Sequence, residues 1–371
     1  MNDSSSSNRT GRASTDRQTD PQPPVRTDGG SVPERDGQAA STHAEAAEIS
    51  DPAVLYDRVQ TAVEEVVVGT EPIVEGLTIA LLSRGHVLLE GVPGVAKTTV
   101  ANAFSRALGV EYSRIQLTPD VLPTDITGTH VYREPTGQFE LRAGPIFGNV
   151  VLVDEINRAP PNTQAALLEA MQERQVTIGD ETRELPAPFC LIATQNSIET
   201  DGTFELPAAQ RDRFALSYTV ELPDRQTEAA IIRQFDAEPE LGPEVIEPAV
   251  TAADVLATRR AVAAVSVADP VVEYILDVVE QTRADRRLEH GSSPRGTLVF
   301  LNAAKARAAI DGRSYVLPDD IKTLARPVLG HRLVRNTNAR MNGQSAAAVI
   351  DDLVESVPVP DADIESAVES Q

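Results

Sequence analysis

Residues 91 to 99 read GVPGVAKTT, and no other stretch of the chain restricts the fold as strongly. The pattern approaches G-x-x-x-x-G-K-[ST], a loop whose successive backbone N–H groups turn toward phosphate oxygens, with one departure: Ala96 stands where glycine usually precedes the lysine. The loop follows an apolar run, HVLLEG (86 to 91), and precedes a helical pattern, TTVANAFSRALG, which is the strand–loop–helix setting such a loop needs. Gly91 and Gly94 supply the tight bends, with Val92 and Pro93 between them and Val95 just beyond. Lys97 is expected to contact the β- and γ-phosphates of ATP as a point charge, Thr98 to ligate Mg²⁺, and Thr99 to complete the loop. Alanine is small and can adopt helical φ and ψ, so Ala96 is tolerated if the helix already starts there. The chain has only three lysines, Lys97, Lys305 and Lys322, so one inside a glycine-bearing loop carries weight. A purely structural turn stays open until its partners are considered.

Those partners end two further apolar runs, NVVLVDEIN (149 to 157) and FCLIATQN (189 to 196). With HVLLEG they are short, unalternated and rich in β-branched residues and leucine, as strands buried on both faces of a parallel sheet are. Ligands of open α/β sheets sit beyond the carboxyl ends of the strands, so the three polar ends can share one crevice. There Asp154 is expected to hold Mg²⁺, and Glu155 to polarise a water for in-line attack on the γ-phosphate. Asn196 is a neutral amide that can bond phosphate and water without repelling either. Taken singly, the acidic pair also suits a helix cap, and Asn196 a strand-end turn.

Composition sets the frame around this core. Of 371 residues, 56 are acidic and 33 basic, for a net charge of −23, which disfavours nonspecific attraction to nucleic acid or anionic lipid. The positive charge is nearly all arginine and the carboxylates are spread along the chain, as in proteins of salt-rich habitats, where salt screens self-repulsion. No apolar stretch approaches the ~20 residues a membrane helix needs, and MNDSSSSNRTGRASTD has no apolar leader core, so a cytoplasmic location is expected. The single Cys190 sits in an apolar run and is read as core.

Residues 1 to 48 contain no Leu, Ile, Phe, Tyr or Trp and are read as a disordered polar tail. Order begins with DPAVLYDRVQTAVEEVV, where Asp51 can cap a helix with Val54, Leu55, Val59, Val63 and Val66 on one stripe. Residues 49 to 223 form the expected α/β unit. Within it NTQAALLEAMQERQ reads as a helix capped by Asn162 with Ala165, Leu168 and Met171 inward. Two hairpins interrupt the alternation, one at 129 to 142 turning at Pro135-Thr136-Gly137 and one at 175 to 185 turning at Gly179-Asp180. From 224 to 360 the signals are helical: Thr251 is cap-like, Val271, Ile275, Leu276 and Val279 make a stripe, Ser293-Pro294 opens a helix that closes on Gly312, and AAAVIDDLVES reads as one last short helix. Residues 361 to 371 form an acidic tail.

GVPGVAKT, NVVLVDEINRAPPNTQAALLEAMQERQVT, LIATQN, LPAAQRDRF and SPRGTLVFLNAAKA with HRL together resemble the MoxR family of AAA+ ATPases, from about residue 50 to about 360. That family commonly carries alanine before the loop lysine. The resemblance implies a P-loop AAA+ parallel sheet with helices on both faces, followed by an all-helical lid. It also implies a homo-oligomeric ring, most often a hexamer, with ATP and Mg²⁺ at each subunit boundary. Carried over by position, Arg213 in DRF is the arginine finger reaching the γ-phosphate of the adjacent protomer, and Arg295 in SPR is the lid arginine sensing the γ-phosphate of its own chain. Arg211 stands where the family usually has an apolar residue, and is either a second contact or simply exposed. The hairpins correspond to family insertions and are candidate substrate or pore elements, although Tyr132 and Phe139 suit an ordinary cross-strand pair. His331 in GHRL is expected to pack or bond within the lid.

The function implied is a ring ATPase doing chaperone-like remodelling or metal-cofactor insertion on protein clients, often beside a protein with a von Willebrand factor A domain. A nucleic-acid motor with a related core would want basic, aromatic pore loops, whereas these hairpins are balanced or acidic. A non-hydrolysing scaffold would need binding residues but not Glu155, Asn196 and Arg213 together.

Overall fold

The computed structural model describes residues 48–196 and 203–360; the expected tails, 1–48 and 361–371, lie outside them except for Glu48. In chain order the elements are α1 (Pro52–Glu64), α2 (Glu71–Leu82), β1 (Val87–Gly91), α3 (Lys97–Ala107), β2 (Tyr112–Gln116), α4 (Pro123–Thr127), β3 (Gly128–Arg133), β4 (Gln138–Ala143), β5 (Val150–Asp154) and α5 (Pro161–Glu173). They continue with β6 (Gln175–Ile178), β7 (Glu181–Glu184), β8 (Cys190–Gln195), α6 (Ala208–Arg211), β9 (Leu216–Val220), α7 (Arg225–Ala237), α8 (Ala252–Ala263) and α9 (Asp269–Ala284). Last come β10 (Leu288–His290), α10 (Pro294–Ile310), α11 (Pro318–Leu329), β11 (Val334–Arg335), α12 (Thr337–Met341) and α13 (Ala346–Ser356).

Five strands form one parallel sheet in the order β2-β5-β8-β1-β9. The three runs read from the sequence are its centre, and alternate residues explain why they look unalternated. Val87, Leu89, Val150, Leu152, Cys190 and Ile192 join one buried cluster, while Leu88, Val151, Val153, Leu191 and Ala193 join the other. Both faces are therefore dry. The two edges were not legible: YSRIQ of β2 buries only Ile115, and LSYTV of β9 mixes polar and apolar residues.

The first cluster continues through α1, α2 and α3 into Val255, Tyr274, Phe300 and Leu324 of the later helices. Burying a side chain such as Phe104 or Phe300, both wholly inaccessible, contributes roughly 1.5–3 kcal/mol relative to exposure. Polar ties reinforce it: the Arg259 guanidinium of α8 donates to Leu81 O at 2.9 and 2.7 Å, and Arg307 of α10 pairs with Glu75 of α2. The second cluster gathers α5, Ile126, Val176 and Ile178 on the opposite face.

Several helix readings need correction. Asp51 caps α1, its carboxylate accepting from Ala53 N–H at 2.9 Å, but the buried stripe is Leu55, Val59 and Val63; Val54 is exposed, and Val66 lies past the helix end, partly buried. Helix α5 starts at Pro161, so Asn162 is inside its first turn and not the cap. Ala165 is exposed, and Leu167 and Ala170 join Leu168 and Met171 in the core. In α9, Leu276 faces out while Tyr274 and Val278 are buried. Thr251 and Ser293 cap α8 and α10 as expected.

Both hairpins form, with Gly137 at φ +66° and Gly179 at φ +65° in their turns. The second packs Val176 and Ile178 inward, whereas the first projects: Tyr132 sits directly opposite Phe139, the rings 5.3 Å apart and both exposed. No helix among the described residues is long and apolar enough to cross a membrane.

Candidate active site

The carboxyl ends of β1, β5 and β8 converge on a cleft of about 420 Å³, lined by Pro93 to Thr99, Arg114, Gln116, Asp154, Glu155, Thr194 and Asn196. Ten of the residues singled out in the sequence thus meet in one place: Pro93, Gly94, Val95, Ala96, Lys97, Thr98, Thr99, Asp154, Glu155 and Asn196. Gly91 and Val92 form the loop's inner limb, and the Lys97 ammonium donates to their carbonyl oxygens at 2.7 and 2.9 Å. Burial pulls the Lys97 ammonium down, and the carboxylates of Asp154 and Glu155 oppose this.

The loop needs its glycines for two different reasons. Gly91 has φ +154° and faces β9 so closely that a Cβ would strike the Val220 carbonyl oxygen; Gly94 has φ +84° with open space around it. The reading of Ala96 was wrong. It is the N-cap of α3 in the left-handed region, φ +59° and ψ +16°, a conformation that costs a residue with a Cβ about 1–2 kcal/mol. Helix geometry begins only at Lys97, so the first N–H groups of α3, with no side-chain cap, point into the cleft.

Asp154 and Glu155 are held by residues that the sequence reading missed. The Thr194 hydroxyl donates to Asp154 Oδ1 at 3.2 Å, and Arg114 Nε donates to Oδ2 at 2.7 Å. Glu155 is also left-handed, φ +58°; its N–H donates to Thr194 Oγ1 at 3.0 Å, and its carboxylate accepts from Gln116 Nε2 at 3.1 Å and pairs with Arg158 at 3.0 Å. Arg114 and Gln116 alternate on one face of β2, joined by a 3.2 Å hydrogen bond. Recognising β2 as a strand was the signal that would have found them. Asn196 borders the cleft and is buried.

Arg213 and Arg295 are absent from this cleft. They line a second cavity of about 250 Å³ together with Arg84 and Arg174. Arg213 Nη1 donates to Leu168 O at 2.9 Å. The expectation that Arg295 reaches the phosphate of its own chain is therefore corrected: the opening turn of α10 aims it beside Arg213, because the lid helices pack against α2 and not over the loop. Arg211 borders neither cavity. It is half-buried, its Nε has no hydrogen-bond partner among the described residues, and its charge opposes the upward push that burial gives the Glu90 carboxyl. His331 is buried in the lid as expected, and its Nε2 also reaches out of it, donating to Phe214 O at 3.1 Å.

A third cavity, of about 400 Å³ and more apolar, shares Gly94, Val95 and Ala96 with the cleft and continues along Val68, Ile73, Leu222 and Ile231. Its walls suit a flat heteroaromatic ring next to a phosphate chain. Sequence reading had no access to it, since its walls come from α2, β9 and α7.

A parallel sheet with a glycine loop after β1 and an acidic end on β5, joined to a helical C-terminal region, defines an AAA-type ATPase. Residues 86–216 match the ATPase family associated with various cellular activities (AAA), and residues 280–353 match the AAA lid domain. The chain is 41 % identical over 307 residues to the chaperone MoxR1 of Mycobacterium tuberculosis, covering 80 % of each chain. It is 33 % identical over 330 residues to the protein MoxR of Methylorubrum extorquens, covering 82 % of this chain and 94 % of that one. A solved structure of a proposed ATPase from Cytophaga hutchinsonii matches with a TM-score of 0.78 at 37 % identity, over 83 % of this chain and 96 % of that one. The chain belongs to the MoxR family of AAA+ ATPases.

Proposed function

We propose that this ATPase works as a ring, most simply a hexamer, in which each ATP lies between two subunits and its hydrolysis drives remodelling of client proteins. The observation that carries this reading is the separation of the two cavities: the cleft holds Lys97, Asp154 and Glu155, while Arg213 and Arg295 line another wall of the molecule. Four guanidinium groups around one small cavity call for an anion, and a neighbouring subunit's γ-phosphate supplies one. Residues 49–223 act as the ATPase core and 224–360 as the lid.

The phosphate loop fits its ligand by shape, since the positions of Gly91 and Gly94 both disfavour a side chain. Lys97 and the open N-terminus of α3 bind the phosphates. Thr98 and Asp154 offer the hard oxygen donors that would hold Mg²⁺, which would supply positive charge against the phosphate oxygens. Glu155 takes a proton from the attacking water, and Asn196 orients that water. Arg213, with Arg295 beside it, stabilises the charge developing on the phosphoryl group bound next door, a contribution of roughly 10³–10⁵ in rate for related arginine fingers. The adjoining apolar cavity takes the adenine.

The client role draws on the relative named a chaperone and on the exposed Val131, Tyr132 and Phe139 of the first hairpin, which suit contact with unfolded chain. A partner with a von Willebrand factor A domain, and metal-cofactor insertion as the task, are the finer forms of this proposal.

Complementation tests the shared site. Lys97→Ala subunits keep the arginines and Arg213→Ala subunits keep the loop, so each is inactive alone while mixtures regain turnover at interfaces pairing an intact loop with an intact Arg213. Absence of any recovery in mixed assemblies sinks the reading.

A further inference from the structure

Arg332 is the most thoroughly engaged buried charge in the protein's lid. Its side chain is 1 % exposed, yet its guanidinium bonds almost entirely to a segment far away in sequence. Nε donates to Asp212 Oδ1 at 2.9 Å, Nη1 to Ala215 O at 3.0 Å, and Nη2 to Phe214 O at 2.5 Å and Asp212 O at 3.4 Å; Nη1 also donates to Val328 O on its own side. His331 adds its bond to Phe214 O. The second carboxylate oxygen of Asp212 accepts from Ser293 Oγ at 2.9 Å.

The spacing of these contacts matters. Arg213 lies between Asp212 and Phe214, two of the three residues of this segment whose backbone oxygens Arg332 grips, and Arg295 lies two residues after Ser293, in the first turn of α10. One buried guanidinium and one carboxylate therefore fix the origins of both arginines of the second cavity. Burial pushes the Arg332 guanidinium down to about 10, with Asp212 opposing, so it stays charged at neutral pH. A buried charge is tolerated only when every donor is satisfied, so the lid cannot shift away from residues 212–215 without leaving it unpaired.

We propose that Arg332, acting through Asp212, is a positioning residue that makes Arg213 and Arg295 move as one unit with the lid. Because Ser293 also caps α10, any rotation of that helix carries the Arg213 segment with it. The inference rests on the shared-site reading above.

The test is Asp212→Asn, which keeps the shape of the side chain and removes its charge, with Ser293→Ala as a milder second variant should the first lower solubility. Small misplacements of positioned groups cost on the order of tenfold to a hundredfold in rate. We expect Asp212→Asn to lower kcat on that scale while KM for ATP and equilibrium nucleotide binding stay within about twofold, because the cleft is built from other residues. Added to the background Arg213→Ala/Arg295→Ala, which lacks both positioned groups, Asp212→Asn should cost no further turnover. A pair that merely stabilised the fold would lower the thermal midpoint and leave kcat untouched. Wild-type kcat in Asp212→Asn beside an impaired Arg213→Ala overturns the positioning role and leaves the shared site standing, as would a further loss when Asp212→Asn is added to Arg213→Ala/Arg295→Ala. Wild-type kcat in Arg213→Ala overturns the shared site itself.

Discussion

Arg114 and Asp154 form an ion pair, Nε to Oδ2 at 2.7 Å, at the carboxyl end of the two neighbouring strands β2 and β5. The arginine side chain is half exposed while the carboxylate is buried, so a positive charge already attends the oxygen proposed to hold Mg²⁺. Arg114→Gln should therefore reduce the Mg²⁺ concentration needed for half-maximal turnover, by about two- to fivefold if the pair is worth what partly exposed pairs usually are. A magnesium titration of both proteins checks this; an increase would mean that Arg114 serves the nucleotide and not the carboxylate.

Ala96 holds a left-handed backbone at the mouth of α3. Glycine there removes the Cβ clash but adds freedom to the unfolded chain, effects of about 1–2 and 0.4–1 kcal/mol. The difference favours glycine, and Ala96→Gly should raise the thermal midpoint by a few degrees at most. Ala96→Val, branched at Cβ, should lower it and weaken nucleotide binding. Calorimetry decides, and a valine variant as stable as wild type would contradict the assigned conformation.

His86 is buried between Leu191 N–H, which donates to its Nδ1 at 3.0 Å, and Met171 O, which accepts from Nε2 at 3.0 Å. Burial pushes the ring down from 6.5 to about 4, with Arg174 and Arg259 adding to the shift. The unfolded chain thus binds this proton more readily than the native one, so stability is complete above about pH 6.5 and falls as pH drops toward 4, by roughly 3 kcal/mol. Unfolding midpoints across that window should be steeper in wild type than in His86→Gln. Parallel curves would show that the ring titrates normally.

Glu155→Gln keeps the size of the side chain and its contact with Gln116, but removes the proton acceptor. The variant should bind ATP as tightly as wild type and hydrolyse it slower by a factor on the order of 10² or more. Lys97→Ala should instead lose binding. Equilibrium binding with a labelled nucleotide, set beside steady-state turnover, separates the two; normal turnover in Glu155→Gln would remove it from the mechanism.

The legible parts of the site were those carried on strongly patterned elements. Asp154 and Asn196 each close an apolar run and Lys97 lies in the loop that follows another, and a run buried on both faces announces itself through composition alone. Arg114 and Gln116 were hidden because β2 buries a single side chain and reads as a loop. The strain at Ala96 and Glu155 was equally hidden, since φ is imposed by the neighbouring strands and helix and leaves no mark on residue type.

Local pattern and chemistry placed the phosphate loop, the acidic strand end and the helical C-terminal half, since periodicity and side-chain type are properties of short segments. Which wall of the molecule each arginine faces is a property of packing. Arg295 was assigned to its own chain's phosphate, and only the seating of α10 against α2, with Arg332 holding residues 212–215, moved it beside Arg213. That choice depends on long-range contacts between buried surfaces, whose partners no short stretch of sequence contains.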